Sequence, residues 1–446
     1  MSAEEDLPES SQVEDRLPNT DTPRGSRKLK VALVGFGTVG RSVAKLLCQR
    51  GAAHFQLTHI FNRDIERKKV DWLPAHIRWT ERIDDIISSG ADIVVELVGG
   101  LQPAGDWARR ALDSGKSVVT ANKNLIAECG PELTELARQK GRRIEFGASV
   151  AGAVPVLMGL QEGLAGDRLH KIVGILNGTC NYILTRMEAA GEPFSAALKE
   201  AQDLGFAEAD PRDDLEGFDA RAKLVILTRA ALHCQLRSEQ VLCRSISSIE
   251  PVDFVYTREL GRTIRQIALA QRDSSNGSQL FATVQPALIP TSSLLAHVQG
   301  NQNLVLAVGE SAGETVFSGP GAGGDPTAVA VVSDLFSIAR NAGMPAFTQP
   351  PIELPDKVSG ELTVPHYVRF IVKDRPGIIA AVATLLAKHG ISIDAVLQKP
   401  GYPHSRLPFV MTLGPCSTAV IRSALEEVRQ LDFHVQAPMD LPILFG

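Results

Sequence analysis

Apolar and polar positions alternate along the first part of the chain in two kinds of block. Short apolar runs begin at Leu29 and recur at 57–61, 93–98, 117–121 and 144–146, which predicts strands. Helix-like segments such as 105–114 and 131–140 separate them. Strands that alternate with helices need crossover connections, which are typical of a parallel α/β sheet. We therefore expect residues 29–149 to form a doubly wound domain.

A different pattern follows in the middle of the chain, over residues 150–319. Apolar runs and long amphipathic stretches are mixed there, at 171–176, 195–204, 215–232, 280–288 and 304–308. This mixture favours an α+β domain in which helices cover a sheet.

The last part of the chain begins with a proline-rich interval. Five prolines lie within 345–365 and disfavour helix, so we expect a linker there. Residues 366–446 then alternate as strand, helix, strand, strand, helix, strand. That order predicts a ferredoxin-like βαββαβ domain.

Composition and charge narrow the possible partners. Hydrophobic residues make up 44% of the chain and charged residues 22%, as in a globular protein with a buried core. The net charge of −5 and the lack of basic blocks argue against nucleic-acid or membrane partners. Residues 1–28 are acidic and poor in apolar residues, which predicts a disordered tail and no secretory signal. Six scattered cysteines fit the reducing cytoplasm, and the histidines form no zinc pattern.

A glycine-rich turn follows the first predicted strand and opens a helix. The G-x-G-x-x-G spacing in this setting is typical of a Rossmann-type dinucleotide site, where backbone N–H groups meet the pyrophosphate at a helix N-terminus. A turn that only packs helix on strand is the alternative. The cofactor-binding residues predicted here are Gly35, Phe36, Gly37, Thr38, Val39 and Gly40.

The end of the second predicted strand bears on the type of nicotinamide cofactor. An acidic residue there would bind the ribose hydroxyls of NAD, whereas an arginine can pair with the 2′-phosphate of NADP. The sequence has Arg63 followed by Asp64. This order favours NADP and leaves NAD open.

Asp219 and Lys223 are a candidate proton-transfer pair. They are four residues apart, so they share one face if 215–232 is a helix. A desolvated lysine beside a carboxylate can exchange a proton with an alcohol or carbonyl oxygen while hydride moves to or from a nicotinamide. A surface ion pair is the alternative.

Four polar segments in apolar surroundings closely resemble the homoserine dehydrogenase family, and the likeness extends over about 29–340. They are Val118-Val119-Thr120-Ala121-Asn122-Lys123, Asn177-Gly178-Thr179-Cys180-Asn181, the long acidic stretch 205–223, and 319–328. The resemblance implies NAD(P)-dependent reduction of L-aspartate 4-semialdehyde to L-homoserine, on the route to threonine, methionine and isoleucine.

The resemblance also implies roles for individual residues. Lys223 would be the general acid and base, with Asp219 beside the reacting oxygen. Glu208 and Asp214 would hold the substrate's amino group. The remaining residues implied at the site are Lys123 as a second lysine at substrate and cofactor, Thr179 and Asn181 at substrate or nicotinamide unless they only shape a turn, and Gly321, Ala322 and Gly323 near the cofactor. Residues 320–344 would then return to the nucleotide domain as a helix.

One position departs from the family pattern. Family members carry a carboxylate before the Ala-Ser-Val-Ala-Gly segment that helps to bind a sodium ion, and this chain has Gly147 there. Glu145, two residues earlier, lies on the same face of a strand but farther along it. The cation site is therefore doubtful, or is built mainly from carbonyls such as that of Val150.

The C-terminal domain resembles an ACT domain. Its marks are Lys373-Asp374-Arg375-Pro376-Gly377 between strand and helix, and His389-Gly390-Ile391-Ser392-Ile393 farther on. The resemblance implies threonine as effector, with contacts at Asp374, Gly377 and Ile378, and assembly as a homodimer or homotetramer. A domain used only for dimerisation is the alternative.

Two other functions fit part of the pattern. One is a dehydrogenase for another amino-acid semialdehyde, which would share the cofactor fold. The other is a non-catalytic amino-acid sensor, suggested by Gly147 and the ACT-like domain. Retention of Lys123, Glu208, Asp219 and Lys223 favours the enzyme.

Overall fold

The computed structural model of the chain describes residues 27–273, 279–342 and 351–445. The predicted acidic tail at 1–28 lies outside the described residues except for its last two positions. Three sheets organise the described chain.

The first sheet has six parallel strands in the order β3-β2-β1-β4-β5-β6. Its strands are β1 (Leu29–Val34), β2 (Phe55–Phe61), β3 (Arg78–Thr80), β4 (Ile93–Glu96), β5 (Ser117–Thr120) and β6 (Ile144–Glu145). Its helices are α1 (Thr38–Gln49), α2 (Ile65–Lys68), α3 (Ile83–Ile87), α4 (Ala104–Asp113) and α5 (Lys123–Gln139). This order confirms the predicted Rossmann-type domain, and the crevice beyond β1 and β4 is where such sheets bind ligands.

Helix α5 begins earlier than the sequence pattern indicated. The prediction placed a helix at 131–140, but α5 starts at Lys123 and has Pro131 in its interior. The side chain of Asn122 caps it by accepting the Leu125 N–H at 3.1 Å. Buried residues on both sides of Pro131, such as Ile126 and Leu133, show why tertiary packing overrides the local proline signal.

The second sheet is mixed and has seven strands, in the order β12-β11-β7-β9-β10-β13 with β8 also paired to β10. Its strands are β7 (Leu169–Ile175), β8 (Leu242–Cys243), β9 (Arg262–Arg272), β10 (Gln279–Pro290), β11 (Gln302–Gly309), β12 (Glu314–Pro320) and β13 (Lys357–Ser359). The helices around it are α6 (Val156–Met158), α7 (Gly178–Ala190), α8 (Phe194–Asp203), α9 (Arg212–Leu215), α10 (Phe218–Leu232), α11 (Pro251–Glu259) and α12 (Gly324–Arg340). The predicted α+β architecture is confirmed.

Two details of this region differ from the sequence predictions. The stretch 215–232 is not one helix, because Gly217 adopts a left-handed conformation (φ +82°) between α9 and α10. The predicted linker is not a free spacer over 351–365, because β13 pairs in parallel with β10 and extends the second sheet. The prolines flank β13 instead of lying within it, so its hydrogen bonds survive. The rest of that interval, before residue 351, lies outside the described residues.

The third sheet is antiparallel, with strands in the order β15-β16-β14-β17. Its elements are β14 (Thr363–Val372), α13 (Ile378–Lys388), β15 (Ile393–Gln398), β16 (Leu407–Ser417), α14 (Thr418–Val428) and β17 (His434–Pro442). The predicted βαββαβ order is confirmed. The Asp253 side chain of α11 accepts a hydrogen bond from Tyr367 of this sheet at 2.8 Å, so the domain docks on the middle of the chain.

Two contacts join the first two sheets. Helix α12 returns to α1, where Val331 and Leu335 share an apolar core with Val43 and Leu47. Helix α5 packs on α10, and their buried side chains belong to one continuous apolar cluster. These two contacts set the position of the candidate site. Among the described residues, no helix is long and apolar enough to span a membrane.

Candidate active site

Three charged side chains meet where α5 packs on α10. The Asp219 carboxylate bridges two lysines: its Oδ2 lies 2.7 Å from Lys223 Nζ and its Oδ1 lies 2.7 Å from Lys123 Nζ. Asp219 and Lys223 are one turn apart on α10, as their spacing predicted. Lys123 is the first residue of α5 and reaches them only through the packing of the two helices. The structure therefore brings both candidate lysines to one carboxylate.

Two members of this cluster are buried, unlike an ordinary surface ion pair, whereas the Lys123 side chain is 36% exposed. Asp219 is 6% exposed and Lys223 is 9% exposed. Burial opposes ionisation of Asp219, but Lys223 and Lys123 outweigh it and hold its pKa below the ordinary value. The charge of Asp219 in turn raises the pKa of Lys123 against the effect of desolvation. Lys123 is therefore an ammonium at neutral pH.

The Lys223 ammonium has one hydrogen to spare. It donates to Asp219 and, at 2.7 Å, to the main-chain oxygen of Leu176. An ammonium carries three donors, and no other acceptor among the described residues takes the third. The same Leu176 oxygen accepts from Asn303 Nδ2 at 3.1 Å, so its direction is fixed.

Asp214 lies beside this cluster and is tied to it by an asparagine. Asn177 Nδ2 donates to Asp214 Oδ1 at 2.6 Å and to Asp219 Oδ2 at 2.8 Å. Burial and the charge of Asp219 raise the pKa of Asp214, and hydrogen bonds from Asn177 and Thr179 oppose that rise. We did not predict Asn177 as a site residue, although an asparagine directly before a helix start is a recognisable signal.

The other residues predicted to bind substrate occupy different positions. The Thr179 hydroxyl donates to the Phe206 oxygen at 2.7 Å and so joins α7 to the loop before α9. Asn181 Nδ2 donates to the oxygens of Val298 and Gly300, which agrees with the purely structural alternative. Glu208 is exposed, and its carboxylate makes no hydrogen bond or ion pair with another described residue. The structure does not bring Glu208 into the lysine cluster.

The glycine-rich turn has the geometry that a dinucleotide needs. A side chain at Gly40 would lie 2.3 Å from the Gly35 oxygen, so α1 packs tightly on the end of β1. Gly37 precedes α1 and has open space where a side chain would be. No acidic residue lies in the first turn of α1. Thr38 and Val39 therefore begin a helix whose free N–H groups suit a pyrophosphate.

Phe36 has a role different from the rest of the turn. Its side chain is 0% exposed and packs edge-on against Trp79 at a centroid distance of 4.9 Å. Only its main chain is free to face a nucleotide.

The end of β2 carries a charged side chain that has no ion-pair partner among the described residues. Asp64 caps α2 by accepting the Arg67 N–H at 3.2 Å. Arg63 is exposed and forms no ion pair within the part of the chain that the structure describes. Of the two candidate ribose-side residues, Arg63 is the one left free.

The segment 321–324 runs between the glycine-rich turn and the contacts of Lys223. Gly324 lies against Thr38 at the start of α1, and Gly321 lies against the Asn303 side chain. Asn303 holds the Leu176 carbonyl that also accepts from Lys223. Ala322 and Gly323 are exposed between these contacts. A continuous series of contacts thus joins the dinucleotide turn to Lys223.

Comparisons with known proteins agree with this geometry. A family model described as the NAD binding domain of homoserine dehydrogenase matches residues 35–147, the homoserine dehydrogenase model matches 155–336, and the ACT domain model matches 366–433. The homoserine dehydrogenase of Bacillus subtilis is 38% identical over 418 residues, covering 91% of this chain and 96% of that protein. The chain belongs to the homoserine dehydrogenase family. It is therefore an oxidoreductase that uses NAD(P), as the sequence resemblance implied.

Other homoserine dehydrogenases match over nearly the same length. The protein from Neisseria gonorrhoeae is 35% identical, covering 91% of this chain and 96% of that protein. A crystal structure of the enzyme from Thiobacillus denitrificans has a TM-score of 0.84 at 33% identity, covering 94% of this chain and 98% of that one. The S. aureus enzyme at pH 7.5 has a TM-score of 0.74 at 29% identity, covering 94% and 99%.

The departure from the family pattern at Gly147 has a structural counterpart in this chain. A side chain at Gly147 would begin 2.6 Å from Asp334 Oδ1, so a carboxylate from α12 fills the space. Asp334 Oδ2 accepts the Ala148 N–H at 3.3 Å. Burial and the neighbouring Glu145 raise the pKa of Asp334 to about 8. Sequence analysis singled out Glu145 and missed Asp334.

Asp334 was not among the predicted ligands of the sodium site. Its carboxylate accepts hydrogen bonds from main-chain N–H groups of the turn that precedes Val150. Val150 itself is 0% exposed. In the described residues no group of three or more histidine, cysteine, aspartate or glutamate side chains is arranged for a metal ion.

In the predicted effector loop, the side chains of Asp374 and Ile378 already have contacts within the protein. Asp374 Oδ2 is 2.6 Å from His404 Nδ1, and the Ile378 side chain packs in the core of the ACT domain. Gly377 is exposed and left-handed (φ +93°) at the start of α13. Only the main chain of Gly377 and Ile378 is therefore free to meet a ligand carboxylate.

Proposed function

We propose that the chain catalyses the interconversion of L-aspartate 4-semialdehyde and L-homoserine with NADP or NAD. Its physiological direction is reduction, within the biosynthesis of threonine, methionine and isoleucine. The observation that carries this proposal is the Lys123–Asp219–Lys223 array, with Asp219 and Lys223 buried, at the seam between the nucleotide domain and the second sheet. Such an array is a proton donor held in a fixed place.

Lys223 is the general acid in this mechanism. A bound nicotinamide supplies the hydride that reaches the aldehyde carbon. The uncommitted N–H of Lys223 donates its proton to the aldehyde oxygen, and the same group accepts the proton back during oxidation. Asp219 and the Leu176 oxygen hold the ammonium in position, so its donor does not have to be oriented during the reaction.

The substrate carries an ammonium and a carboxylate, and the cluster offers charges of both signs. Asp214 accepts a hydrogen bond from the substrate ammonium, and Glu208 contributes its negative charge from the exposed loop at 204–211. Lys123 keeps two N–H groups beyond its bond to Asp219 and uses them at substrate and cofactor. Thr179 orients the Glu208 loop through the Phe206 oxygen.

NADP is the preferred cofactor in this proposal. Its pyrophosphate binds the turn from Gly35 to Gly40, and Gly321, Ala322 and Gly323 cover it. The free guanidinium of Arg63, together with the use of Asp64 as a helix cap, favours a 2′-phosphate.

Threonine is the proposed feedback effector, bound at Asp374, Gly377 and Ile378 of the ACT domain. The N–H groups at the start of α13 suit its carboxylate. We further propose that the chain divides at residues 149, 319 and 365, forms a homodimer or homotetramer, and works in the cytoplasm, in keeping with cysteines that are all unpaired.

The test is a homoserine oxidation assay with NADP and NAD, in which we compare wild type with Lys223→Met. Because methionine keeps the apolar stem and removes the ammonium, we expect kcat to fall by roughly 10³-fold with nucleotide affinity unchanged. Lys199→Met is the matched control, since Lys199 forms an exposed i,i+4 pair with Asp203 at 3.1 Å. Near-normal turnover in Lys223→Met would refute the assignment. A wild type that binds threonine and nucleotide but never reduces NADP would be a sensor.

A further inference from the structure

We propose that Asn177 is a positioning residue of this site, whose amide N–H groups hold Asp214 and Asp219 in fixed relative places so that Asp214 can receive the substrate ammonium. The inference rests on the proposed function. Asn177 is 4% exposed, and its single amide nitrogen lies within 2.8 Å of both carboxylates. Its role is separate from proton transfer, because it touches carboxylates and not the reacting atoms.

Asp214 depends on Asn177 more than Asp219 does. Asp219 has two lysine partners, whereas no lysine or arginine of the described residues forms an ion pair with Asp214. The partly buried Asp214 and the buried Asp219 oppose each other's ionisation. The Asn177 amide gives each of them one charge-assisted hydrogen bond without adding a charge.

Both N–H groups of the Asn177 side chain are in use, and its oxygen caps a helix. Its Oδ1 accepts the Cys180 N–H at 2.7 Å and so caps α7, and its two N–H groups serve the two carboxylates. Serine and aspartate are also good helix caps. Neither of them can donate to two carboxylates at once. Substitution by serine or aspartate therefore separates the capping role from the positioning role.

The groups that face Asp214 from neighbouring elements come from three helices. They are Asp219 and Lys223 on α10, Lys123 on α5, and Thr179 and Cys180 on α7. Its neighbours on its own helix α9 are Arg212 and Asp213. None of the positive groups on α5 and α10 is lost when Asn177 is replaced. Loss of the amide donor should therefore raise the pKa of Asp214, because the carboxylate loses a hydrogen bond that favours its charged form.

The first experiment is the pH profile of kcat/KM for L-homoserine in wild type, Asn177→Ser and Asn177→Asp. The substrate ammonium needs an ionised Asp214, so we expect the acid limb of Asn177→Ser to move up by about one pH unit. Asn177→Asp adds a third carboxylate, so its acid limb should move to a still higher pH. KM should rise more than kcat falls, while affinity for the nucleotide stays unchanged.

Asn122→Ser is the matched control. Asn122 caps α5 in the same manner, but its Nδ2 donates to the Gly100 oxygen at 2.6 Å and not to a carboxylate. Its acid limb should coincide with that of wild type. An unchanged limb in both Asn177 variants, or an equal shift in Asn122→Ser, would overturn the proposal.

A double-mutant cycle provides the second measurement. If Asn177 acts through Asp214, then Asn177→Ser should change kcat/KM much less in an Asp214→Asn background than in wild type. Additive losses would mean that Asn177 is only a cap, and the proposal would fail while the dehydrogenase assignment stands. Absence of homoserine oxidation in wild type would instead defeat the proposed function itself.

Discussion

Gly147 and Asp334 share a space that has room for only one side chain. The carboxylate of Asp334 lies where a residue at 147 would begin, and it is held by N–H groups of the same turn. Glu145, also largely buried, lies close enough to raise the pKa of Asp334. The pair of carboxylates at this seam between β6 and α12 thus favours a bound proton at neutral pH.

This buried proton should make stability depend on pH. The pKa of Asp334 is about 8 in the folded chain and roughly 3.9 for an unfolded aspartate, so folding favours the protonated form between those values. The unfolding free energy should therefore fall as pH rises through this window. Asp334→Asn removes the titration, and we expect wild type to lose roughly 3–4 kcal/mol more than this variant between pH 5 and pH 8.

Urea unfolding at pH 5, 6.5 and 8 measures this difference. Asp106→Asn, which alters an exposed aspartate of α4, is the control and should keep the wild-type slope. If Asp334→Asn were as sensitive to pH as wild type, the seam would not hold a proton.

At the scale of elements, two glycines of the turn between β1 and α1 have different roles, one in packing and one in ligand binding. Gly40 touches the Gly35 main chain, whereas Gly37 has open space around it. Gly40 is therefore needed for the strand and helix to pack, and Gly37 is needed only if a ligand approaches the turn.

Two alanine substitutions distinguish these roles. Gly40→Ala should lower the unfolding free energy by about 1–3 kcal/mol, because the added carbon overlaps the Gly35 oxygen. Gly37→Ala should leave stability within roughly 1 kcal/mol of wild type yet weaken NADPH binding at least several-fold, because the methyl group blocks the approach of the pyrophosphate. Urea unfolding and NADPH fluorescence titration measure the two effects. Equal nucleotide affinity in wild type and Gly37→Ala would contradict the turn as a cofactor site.

At the scale of the whole molecule, the ACT domain docks on α11 through a buried ion pair. Arg369 of β14 pairs with Asp253 of α11, and their side chains are 4% and 0% exposed. Tyr256 of α11 donates its hydroxyl proton to the Pro408 oxygen of β16 at 2.9 Å. Helix α11 also packs on α7, which begins at the candidate site. The ACT domain is thus two packed elements away from Asn177.

Breaking this ion pair should be costly. Arg369→Met leaves Asp253 buried without its cation, and we expect a loss of about 3–5 kcal/mol in unfolding free energy. The control is Arg375→Met, since Arg375 pairs with Asp432 on the surface and should contribute no more than about 1 kcal/mol. Urea unfolding followed by circular dichroism compares them. A similar small loss in both variants would mean that the domain interface does not rely on Arg369.

The structural features that were predicted correctly from the sequence are those that depend on local periodicity and spacing. Alternation of strands and helices predicted the first sheet, the glycine spacing predicted the turn after β1, and the βαββαβ order predicted the last domain. Asp219 and Lys223 were paired correctly because an i,i+4 spacing within one helix is a local property. The start of α5 and the place of β13 were missed, because packing against distant elements decided both.

The sequence by itself determined the fold class, the glycine-rich turn and the pairing of Asp219 with Lys223, since each depends on residues close together along the chain. Only the tertiary structure decided that Lys123 meets Asp219, that Asn177 joins Asp214 to Asp219, and that Asp334 replaces a side chain at Gly147. The physical reason is that periodicity shows which face of an element is buried but not which distant element covers it. Contacts between charged groups far apart in sequence exist only after those faces have packed.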